Sequence, residues 1–583
     1  MTDELLPGRP ASGRLQVTTG ASSDRGQKPV NQDFHGGLVP RGHTLTMKGT
    51  AFAIADGIGS SDVSQEASET AVKSFLADYY CTPDAWSVRH SGERVISAIN
   101  SWLWDQTRKS PYRDSPDRGY ACTFSAVVMK GNIAHLFHIG DTRIYRLRDR
   151  AAEQLTHDHT LWVSRHEQYL SRVLGVEATI EIDYRATDLR PGDTFILSSD
   201  GIHDHLETTA IIQALEDPAI PLEQVARRII EMALENGSDD NLTIQIIHID
   251  ELPEPGSEAH RSPAGNLPPP PIPEAGDTLD GYTILRELHA SSRSHVFLAR
   301  APDSGEAVVL KIPSLDLREE PGYLERLITE EWIARRVTSN HIVSAAGSPK
   351  ARSYLYTVTG YIEGQTLAQW MNDNPSPSLE AVRNLTEQMA RGLQALHRMD
   401  ILHQDLRPEN VIIDQNGTAK LIDFGAARVA GIAETQLPHA DTPMPGTALY
   451  MAPEYFLGES GSAASDLYSL AVITYHMLSG RFPYGTNVAK ARTIAAQRRL
   501  RYQTVMDPQR DVPAWIDHTL RRALQTDPDK RYPALSEFIH DLRHPNPAYL
   551  NRERPPLLER NPVLFWQGVS GILAITLMYV LLR

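Results

Sequence analysis

Two separate groups of polar residues in this chain have the types and spacing of phosphoryl-transfer chemistry. In the C-terminal half, residues 403–410 (HQDLRPEN) precede the triplet 423–425 (DFG). In the N-terminal half, acids stand singly beside a glycine, an asparagine or a glutamine, at Asp33, Asp56, Asp200 and Asp240. The first group is typical of phosphoryl transfer to a hydroxyl. The second is typical of phosphate hydrolysis by water activated at a metal.

The C-terminal group is placed by a predicted β-hairpin. Apolar-rich stretches at 411–414 and 419–422 flank Asn416-Gly417, and an Asn-Gly pair is the strongest short-range signal for a two-residue hairpin turn. Such a turn would bring Asn410 opposite Asp423, as two oxygen ligands for the magnesium of a nucleotide. Asp405, upstream on the same loop, could accept the proton of an incoming hydroxyl.

The N-terminal acids stand at the ends of predicted strands. Residues 51–55 form an apolar stretch that stops at Asp56, residues 194–197 lead to Asp200, and residues 243–247 begin just after Asp240. Short apolar stretches bounded by Gly and Asp indicate buried strands. Helical spacing between them, as in residues 222–234, predicts an α+β fold: a β-sandwich with helices outside.

Several carboxylates in one cleft cannot all stay ionised without a counter-charge. All-oxygen ligands favour Mg²⁺ or Mn²⁺ over zinc, which prefers Cys and His. Two such ions could lower the pKa of a shared water and position a phosphate for in-line attack. A lone Asp-Gly is usually only a turn, so the prediction depends on the set of acids rather than on any one of them.

The ordered segments SDRGQKPVNQD, AIADGIGSS, HLFHIGDTRIYRL, LTHDHT, FILSSDGIHDHL and GSDDNLTI resemble the metal-dependent type 2C protein phosphatases over about residues 15–250. The resemblance implies a β-sandwich with two or three Mg²⁺ or Mn²⁺ ions. The implied metal ligands are Asp33, Asp56, the Gly57 carbonyl, Asp200 and Asp240, with Asp141 for a third ion. Lys28 falls near the position of the family's phosphate-binding arginine. His157 and His159 are interpreted as structural groups.

A second resemblance, to eukaryotic-type serine/threonine protein kinases, covers about residues 280–545. It implies a bilobal fold that binds ATP with one or two Mg²⁺ or Mn²⁺ ions. The implied roles are the catalytic base for Asp405, a cation near the γ-phosphate for Arg407, and metal ligands for Asn410 and Asp423. Lys311 would hold the nucleotide phosphates, and Glu330, of two adjacent glutamates, would be its helix partner.

Two departures from the kinase pattern are visible. The glycine-rich loop should fall at about 289–296, where the chain reads HASSRSHV, without a glycine. Gln404 stands where many kinases have an arginine that receives an activation-segment phosphate, and a neutral amide pairs only weakly with phosphate. We therefore expect activity without phosphorylation of that segment. Three supporting residues have predicted structural roles: Glu454 paired with Arg531, and Asp466 beneath the loop at 403–410.

The bulk properties limit the function classes. At 583 residues the chain is too long for one core, and a formal charge of −16 disfavours nucleic-acid binding. Two cysteines, Cys81 and Cys122, indicate a reducing compartment rather than a disulfide framework. The predicted domains are a phosphatase-like domain at 13–250, a Pro-rich linker at 251–276 and a kinase-like domain at 277–546. A juxtamembrane segment at 547–561 and a transmembrane helix at 562–582 follow.

The membrane prediction comes from residues 563–582, which carry no charged side chain. About 20 apolar residues can span a bilayer as a helix, and arginines at 552, 554 and 560 favour a cytoplasmic location for the preceding domains. The expected location is a single-pass anchor in a bacterial inner membrane, where a membrane complex could be a partner. A buried C-terminal helix is the alternative.

Together these features predict a membrane-tethered bifunctional enzyme. It would phosphorylate Ser/Thr residues of protein substrates with ATP and remove phosphate from phosphoproteins by two-metal hydrolysis. The alternative is an active phosphatase joined to a kinase-like scaffold, which the missing glycines favour. The retained Lys311, Asp405, Asn410 and Asp423 oppose it.

Overall fold

The computed structural model describes residues 14–162, 168–253, 267–291, 294–314, 317, 320–347, 352–434, 447–507, 512–546 and 562–581. Half of the predicted linker (residues 254–266) and the whole predicted juxtamembrane segment, 547–561, lie outside these ranges. The chain divides into two compact units. The first unit comprises residues 1–262 and 429–439, and the second unit comprises residues 263–428 and 440–583.

The first unit is built on two antiparallel sheets. One has the strand order β1 (Gln16–Asp24), β12 (Leu242–Glu251), β11 (Thr194–Ser198), β6 (Arg143–Arg148) and β7 (Ala151–Gln154). The other has the order β10 (Asp183–Asp188), β5 (Ile133–Ile139), β4 (Phe124–Lys130), β3 (Thr50–Ala55) and β2 (Phe34–Leu38). Strands β8 (Thr160–Trp162) and β9 (Gln168–Leu170) pair separately. The helices are α1 (His43–Lys48), α2 (Ser64–Cys81), α3 (Val88–Lys109), α4 (Asp200–His203), α5 (Thr208–Ala214) and α6 (Leu222–Glu235).

Three apolar layers hold this unit together. Between the sheets, Phe52 and Ile54 share one core with Phe195 and Ile247. Helices α2 and α3 cover the outer face of the β3–β4–β5 sheet, and helix α6 covers that of the β11–β12 sheet. The start of α6 approaches β1 so closely that a Cβ on Gly20 would lie 2.2 Å from the Leu222 carbonyl carbon. The predicted sandwich with outer helices is confirmed.

The second unit contains a five-stranded antiparallel sheet and a mainly helical part. The sheet has the order β13 (Thr278–Leu279), β14 (Tyr282–Ala290), β15 (Ser294–Arg300), β16 (Ala307–Pro313) and β17 (Thr357–Gly360), with helix α7 (Pro321–Arg336) beside it. A smaller sheet has the order β18 (Gly364–Thr366), β20 (Val411–Asp414) and β21 (Ala419–Leu421). Two short strands are β19 (Ile401–Leu402) and β22 (Arg428–Val429).

The helical part is organised around two packed helices, α9 (Leu379–His397) and α11 (Ala463–Ser479). Fourteen of the 17 residues of α11 are buried, because other elements surround it. The remaining helices of this unit are α8 (Leu367–Asp373), α12 (Ile494–Gln497), α13 (Ala514–Ala523), α14 (Leu535–Arg543) and α15 (Pro562–Leu581). Helix α10 (Ala430–Ala433) belongs to the first unit.

The hairpin β20–β21 forms as predicted, but its predicted register is wrong by one residue. Val411 pairs with Leu421, and the Ile422 amide donates to the Asn410 carbonyl, so Asn410 faces 422 rather than Asp423. The loop has three residues because the Asp414 carboxylate accepts the amides of Asn416 and Thr418. Gly417 takes the left-handed conformation, φ 79°, that such a loop requires.

A helix also forms at Pro562–Leu581, where the sequence predicts one. However, within the part of the chain that the structure describes, no helix is both long enough and apolar enough to cross a membrane. Gln567, Gly568 and Gly571 interrupt its apolar sequence. The prediction of a transmembrane helix at 562–582 is therefore not supported.

Candidate active sites

In the first unit, the predicted acids come together where strands of both sheets end. Asp56 follows β3, Asp33 precedes β2, Asp200 begins α4 after β11, and Asp240 lies just before β12. The charges of Asp33, Asp200 and Asp141 act on Asp56, and the charge of Asp240 acts on Asp200. Five predicted ligands thus share one cluster, defined here as the acidic cluster.

Electrostatics make this cluster unstable as a set of anions. Burial raises the pKa of Asp33 to about 6. Burial, together with the charges of Asp33, Asp200 and Asp141, raises the pKa of Asp56 well above its usual value. Burial, with Asp200 next, raises the pKa of Asp141 to about 7. Without an added positive charge, the cluster favours protons on some of its oxygens.

The acidic cluster has the donors for hard cations but not a finished coordination shell. One oxygen of Asp33 and one of Asp200 are buried without a hydrogen-bond partner. Yet among the described residues, no group of three or more His, Cys, Asp or Glu side chains is arranged to hold a metal ion. The chemistry of the donors nevertheless fits Mg²⁺ or Mn²⁺. The roles of the individual ligands stay predictions.

Two predicted residues have definite surroundings. Lys28 forms an ion pair with Asp240, with 3.2 Å between Nζ and Oδ2, so its ammonium neutralises one acid of the cluster. Gly57 occupies a crowded position, since a Cβ there would lie 2.8 Å from the Ser64 Cβ and 2.9 Å from the Gln32 carbonyl oxygen. The chain after Asp56 can therefore follow this path only with glycine.

Three supporting residues were not identified from the sequence as contributors to the site. Ser199 donates to Asp33 at 2.7 Å and accepts from the Thr243 amide. Thr123 accepts from the Asp56 amide at 3.0 Å. Asn241 accepts from the Gln32 amide and donates to the carbonyls of Arg25 and Val30. These contacts fix the backbone that presents the acids. Only the Asp-Asn pairing at 240–241 was a sequence signal for any of them.

His159 supports the loop that presents Asp141. Its Nδ1 accepts from the Gly140 amide at 3.1 Å, and its Nε2 hydrogen-bonds to Asp183, which also pairs with Arg172. These contacts agree with the interpretation of His159 as a structural group.

In the second unit, the predicted nucleotide residues form a triad of charges. Lys311 on β16 lies 2.8 Å from Glu330 on α7 and 2.8 Å from Asp423. The adjacent Glu331 pairs instead with Arg352 and Arg335. The structure thus places Glu330, rather than its neighbour, beside Lys311.

The three charges share this site unequally. Burial opposes the charge of Lys311, but Asp423 and then Glu330 outweigh it and raise the Lys311 pKa. Burial raises the pKa of Glu330 to about 7, despite the attraction of Lys311. Burial would also raise the pKa of Asp423, but Lys311 outweighs it and holds that pKa at about 2. Asp423 is therefore the permanent anion of the triad.

Asp405 and Asn410 are in direct contact. The Asn410 side-chain amide donates to the Asp405 carbonyl at 2.9 Å and to its carboxylate at 3.2 Å. Burial raises the pKa of Asp405, while Arg407, 3.6 Å away, opposes this shift. The other Asp405 oxygen is buried without a hydrogen-bond partner, so the carboxylate can still accept a proton from a substrate hydroxyl.

Buried acids brace the surrounding loops. Asp466 accepts from the amides of His403 and Gln404 at 2.9 Å. Arg531 holds Glu454 with two contacts of 2.7 Å, both side chains being almost fully buried. Both predicted structural roles are confirmed.

The turn at the expected glycine-rich loop is closed by serine. Ser291 donates through its amide and its hydroxyl to the Ser294 carbonyl, and accepts from the Ser294 amide. Residues 292 and 293 lie outside the described residues. A serine side chain thus makes the local contacts that hold the ends of this turn.

Family comparisons agree with this division of the chain. Residues 19–244 match the family "Protein phosphatase 2C", and residues 282–542 match the family "Protein kinase domain". The chain joins a phosphatase 2C domain to a protein kinase domain. From here on, the first unit is the phosphatase unit and the second the kinase unit.

Among curated proteins, the kinase unit is similar to serine/threonine-protein kinase Pkn1 of Myxococcus xanthus, with 30% identity over 47% of this chain and 40% of the relative. It is also similar to PknA of Corynebacterium glutamicum, with 30% identity over 44% of this chain and 54% of the relative. The chain thus matches about half or less of the length of these relatives.

Among solved structures, the phosphatase unit is similar to the catalytic domain of the serine threonine protein phosphatase PstP in complex with two manganese ions. The identity is 26%, over 41% of this chain and 100% of that chain, with a TM-score of 0.35.

Proposed function

We propose that this chain is a bifunctional enzyme. The kinase unit transfers phosphate from ATP to Ser or Thr residues of proteins, and the phosphatase unit hydrolyses phosphoproteins. The observation that carries the proposal is the Lys311 triad, with both contacts at 2.8 Å. A chain that only bound proteins would not need a buried lysine between two acids.

For phosphoryl transfer, each residue has a chemical task. Lys311 binds the α- and β-phosphates, and Glu330 orients its ammonium. Asn410 and Asp423 would hold one or two Mg²⁺ or Mn²⁺ ions, which neutralise the phosphate charges. Asp405 accepts the hydroxyl proton, and Arg407 stabilises negative charge that develops on the transferred group.

For hydrolysis, Asp33, Asp56, Asp200, Asp240, the Gly57 carbonyl and Asp141 would hold two or three divalent ions. Those ions supply an activated water and neutralise the phosphate ester. The fit is supported by the two unpartnered carboxylate oxygens and by the raised pKa values of the cluster. Lys28, which lies beside Asp240, carries the positive charge that would attract the substrate phosphate.

The alternative, a phosphatase joined to a kinase-like scaffold, is favoured by one feature. The turn at Ser291 and Ser294 is closed by side-chain contacts and has no glycine backbone to approach the ATP phosphates.

One experiment separates these functions. The full chain is incubated with γ-labelled ATP, Mg²⁺, Mn²⁺ and a basic protein acceptor, as wild type, Asp56→Ala, Asp405→Ala and the double variant. Hydrolysis of an aryl phosphate with Mn²⁺ is measured in parallel. The exposed acids Asp239 and Asp529, changed to alanine, are matched controls.

Asp405→Ala should lower labelling by about 100- to 10,000-fold, the usual contribution of a general base, and leave aryl phosphate hydrolysis unchanged. Asp56→Ala should lower the hydrolysis rate by at least about 100-fold, since loss of a residue that only hydrogen-bonds to a metal ligand can already lower activity by up to about 100-fold. The same variant should retain more label. If the Asp56→Ala variant binds ATP but incorporates no label, the alternative of a kinase-like scaffold is supported. Hydrolysis that survives Asp56→Ala would contradict the metal assignment.

A further inference from the structure

A short segment after the DFG triplet is bound within the phosphatase unit. It consists of the last residue of β22, helix α10 and Glu434, and it belongs to the first of the two compact units. The Gly431 amide donates to the Ala85 carbonyl at 2.9 Å. The Glu434 carboxylate accepts from the Val88 amide, at 3.1 and 3.3 Å, and from the Lys130 ammonium at 2.7 Å.

Lys130 makes this contact costly to lose. Its side chain, on β4, is only 1% exposed, and its ammonium donates to the Glu434 carboxylate and to the Gly431 carbonyl. Both of these partners come from the segment. A buried ammonium without a partner is strongly destabilising. The surroundings of Lys130 are therefore arranged for a carboxylate and a carbonyl that the segment supplies.

Two further features make the fit specific. Val88 is the first residue of α3, so the Glu434 carboxylate lies at the N-terminus of a 22-residue helix, where a negative charge is stabilised. Gly431 is enclosed: a Cβ there would lie 2.5 Å from the Asp84 carbonyl oxygen and 2.7 Å from that of Trp86. Any side chain at 431 would push the segment away.

Gln404 does not provide the usual means of fixing this segment. Gln404 is a neutral amide that donates to the Ser460 carbonyl at 2.9 Å, so it offers no cation to a phosphorylated residue. Activation segments of many kinases become ordered when a new phosphate pairs with arginine. Glu434 carries a permanent negative charge, and Lys130 provides the cation.

We propose that Lys130, Ala85 and the N-terminus of α3 form a docking site for residues 429–434, and that this contact orders the activation segment without phosphorylation. The phosphatase unit then supports the kinase reaction. The Lys311–Glu330 pair is formed in the same structure, which agrees with a supporting rather than a blocking role. This inference rests on the proposed kinase activity.

The test uses two changes in the segment, so that Lys130, Ala85 and helix α3 keep their own sequence. Glu434→Gln removes the charge at constant size, and Gly431→Val blocks the fit. Glu459→Gln, at an exposed glutamate of the kinase unit, is the matched control. The full chain is studied by hydrogen exchange of residues 429–434, by initial rates of labelling with ATP, and by hydrolysis of an aryl phosphate with Mn²⁺.

Both segment variants should exchange at least about tenfold faster at 429–434, because a charge-assisted hydrogen bond is worth about 1.5–3 kcal/mol. Their labelling rate should fall at least severalfold, with hydrolysis unchanged, and Glu459→Gln should match wild type throughout. Unchanged exchange would overturn the docking site. Faster exchange with an unchanged or increased labelling rate would overturn the supporting role. A wild-type chain that labels nothing would instead refute the kinase activity itself, while the exchange measurement still decides the docking.

Discussion

At the scale of single residues, Lys311 pairs with two acids whose pKa values are shifted in opposite directions. Asp423 keeps its charge, with its pKa at about 2, whereas burial raises the pKa of Glu330 to about 7. Near neutral pH, Glu330 is therefore a carboxyl group that gains or loses a proton easily. Removing the lysine should harm the unit more than removing the Glu330 charge.

Lys311→Met should destabilise the kinase unit by about 3 kcal/mol, because it leaves the buried Glu330 and the partly exposed Asp423 without their cation. Glu330→Gln should cost about 1 kcal/mol or less, since glutamine resembles the protonated acid. Both variants should lose labelling activity. Thermal unfolding of the full chain measures the difference, with Lys490→Met, at an exposed lysine, as control. Equal destabilisation by the two variants would contradict the unequal sharing.

The pH dependence of the metal-free phosphatase unit has a predicted sign. The pKa of Asp33 is raised from 3.8 to about 6 in the folded state, so folding favours its protonated form. Its contribution to stability is complete below pH 3.8 and is lost as the pH rises through about 6, by up to about 3 kcal/mol.

With chelator present, Asp33→Asn should therefore be more stable than wild type at pH 7.5 and little different at pH 4. Added Mn²⁺ should stabilise wild type at pH 7.5 but stabilise Asp33→Asn much less. Thermal unfolding measures both effects, with the exposed neighbour of the cluster, Asp239→Asn, as control. If wild type instead becomes more stable relative to Asp33→Asn between pH 4 and pH 6, the predicted sign of the pH dependence is wrong.

Asp56, Asp200 and Asp240 could be predicted from the sequence because each stands beside a short apolar strand. The roles of Asp33 and Asp141 were implied by the family resemblance. The positions of Ser199 and Thr123 could not be predicted, because serine and threonine carry no pattern that separates a hydrogen bond to Asp33 or to the Asp56 amide from an ordinary surface role. The pairing of Lys28 with Asp240 joins residues 212 positions apart, which only the closed sandwich brings together.

At the scale of elements, buried ion pairs decide how the helical part of the kinase unit is held. Arg531 and Glu454 are 0% and 3% exposed, and the arginine also donates to the Ala464 carbonyl near the start of α11. One residue earlier in the chain, Lys530 pairs with Asp527 at 2.9 Å with both side chains exposed. These two pairs allow a direct comparison of buried and exposed contacts.

Arg531→Met should destabilise the kinase unit by about 3–5 kcal/mol, because it leaves the Glu454 charge buried without a partner. Lys530→Met should change its stability by less than about 1 kcal/mol, since exposed ion pairs contribute little. Denaturant unfolding of the full chain, followed through labelling activity, measures both. A similar cost for the two changes would show that Glu454 is not held mainly by this pair.

The strands of both units form where the apolar patterns predict them, but the pairing register of the β20–β21 hairpin differs from the prediction. Residues 411–414 and 419–421 form strands as predicted, because alternation and burial specify them. The turn between them is one residue longer than an Asn-Gly pair indicates, since the Asp414 carboxylate binds two amides of the loop. Such a side-chain contact competes with the backbone turn and is not encoded in the Asn-Gly signal.

At the scale of the whole molecule, the two units have separate cores. The cores of the sandwich and of the five-stranded sheet have no residue in common. The two predicted ligand sets also belong to different units. A ligand that binds only one native unit stabilises that unit by mass action and not the other.

Unfolding of the full chain should therefore show two transitions that respond to different ligands. Mn²⁺ at about 100 times its dissociation constant should stabilise the phosphatase unit by about 2.7 kcal/mol, and Asp56→Ala should remove this effect. A non-hydrolysable ATP analogue with Mg²⁺ should shift the other transition in wild type but not in Lys311→Met. Differential scanning calorimetry distinguishes the two; a single transition shifted by both ligands would contradict separate sites.

The Leu355 amide donates to the Pro268 carbonyl at 2.9 Å, and Pro270 is buried. The proline tract at 268–271 therefore packs on the kinase unit, although its composition predicts a linker. A kinase fragment that begins at 277, the domain boundary predicted from the sequence, would lack this tract, and the Leu355 amide would lose its hydrogen-bond acceptor. A recombinant fragment that starts before residue 268 should therefore be more stable than one that starts at 277. A gene fusion that transfers this kinase unit to another protein would need to include the proline tract to keep the same stability.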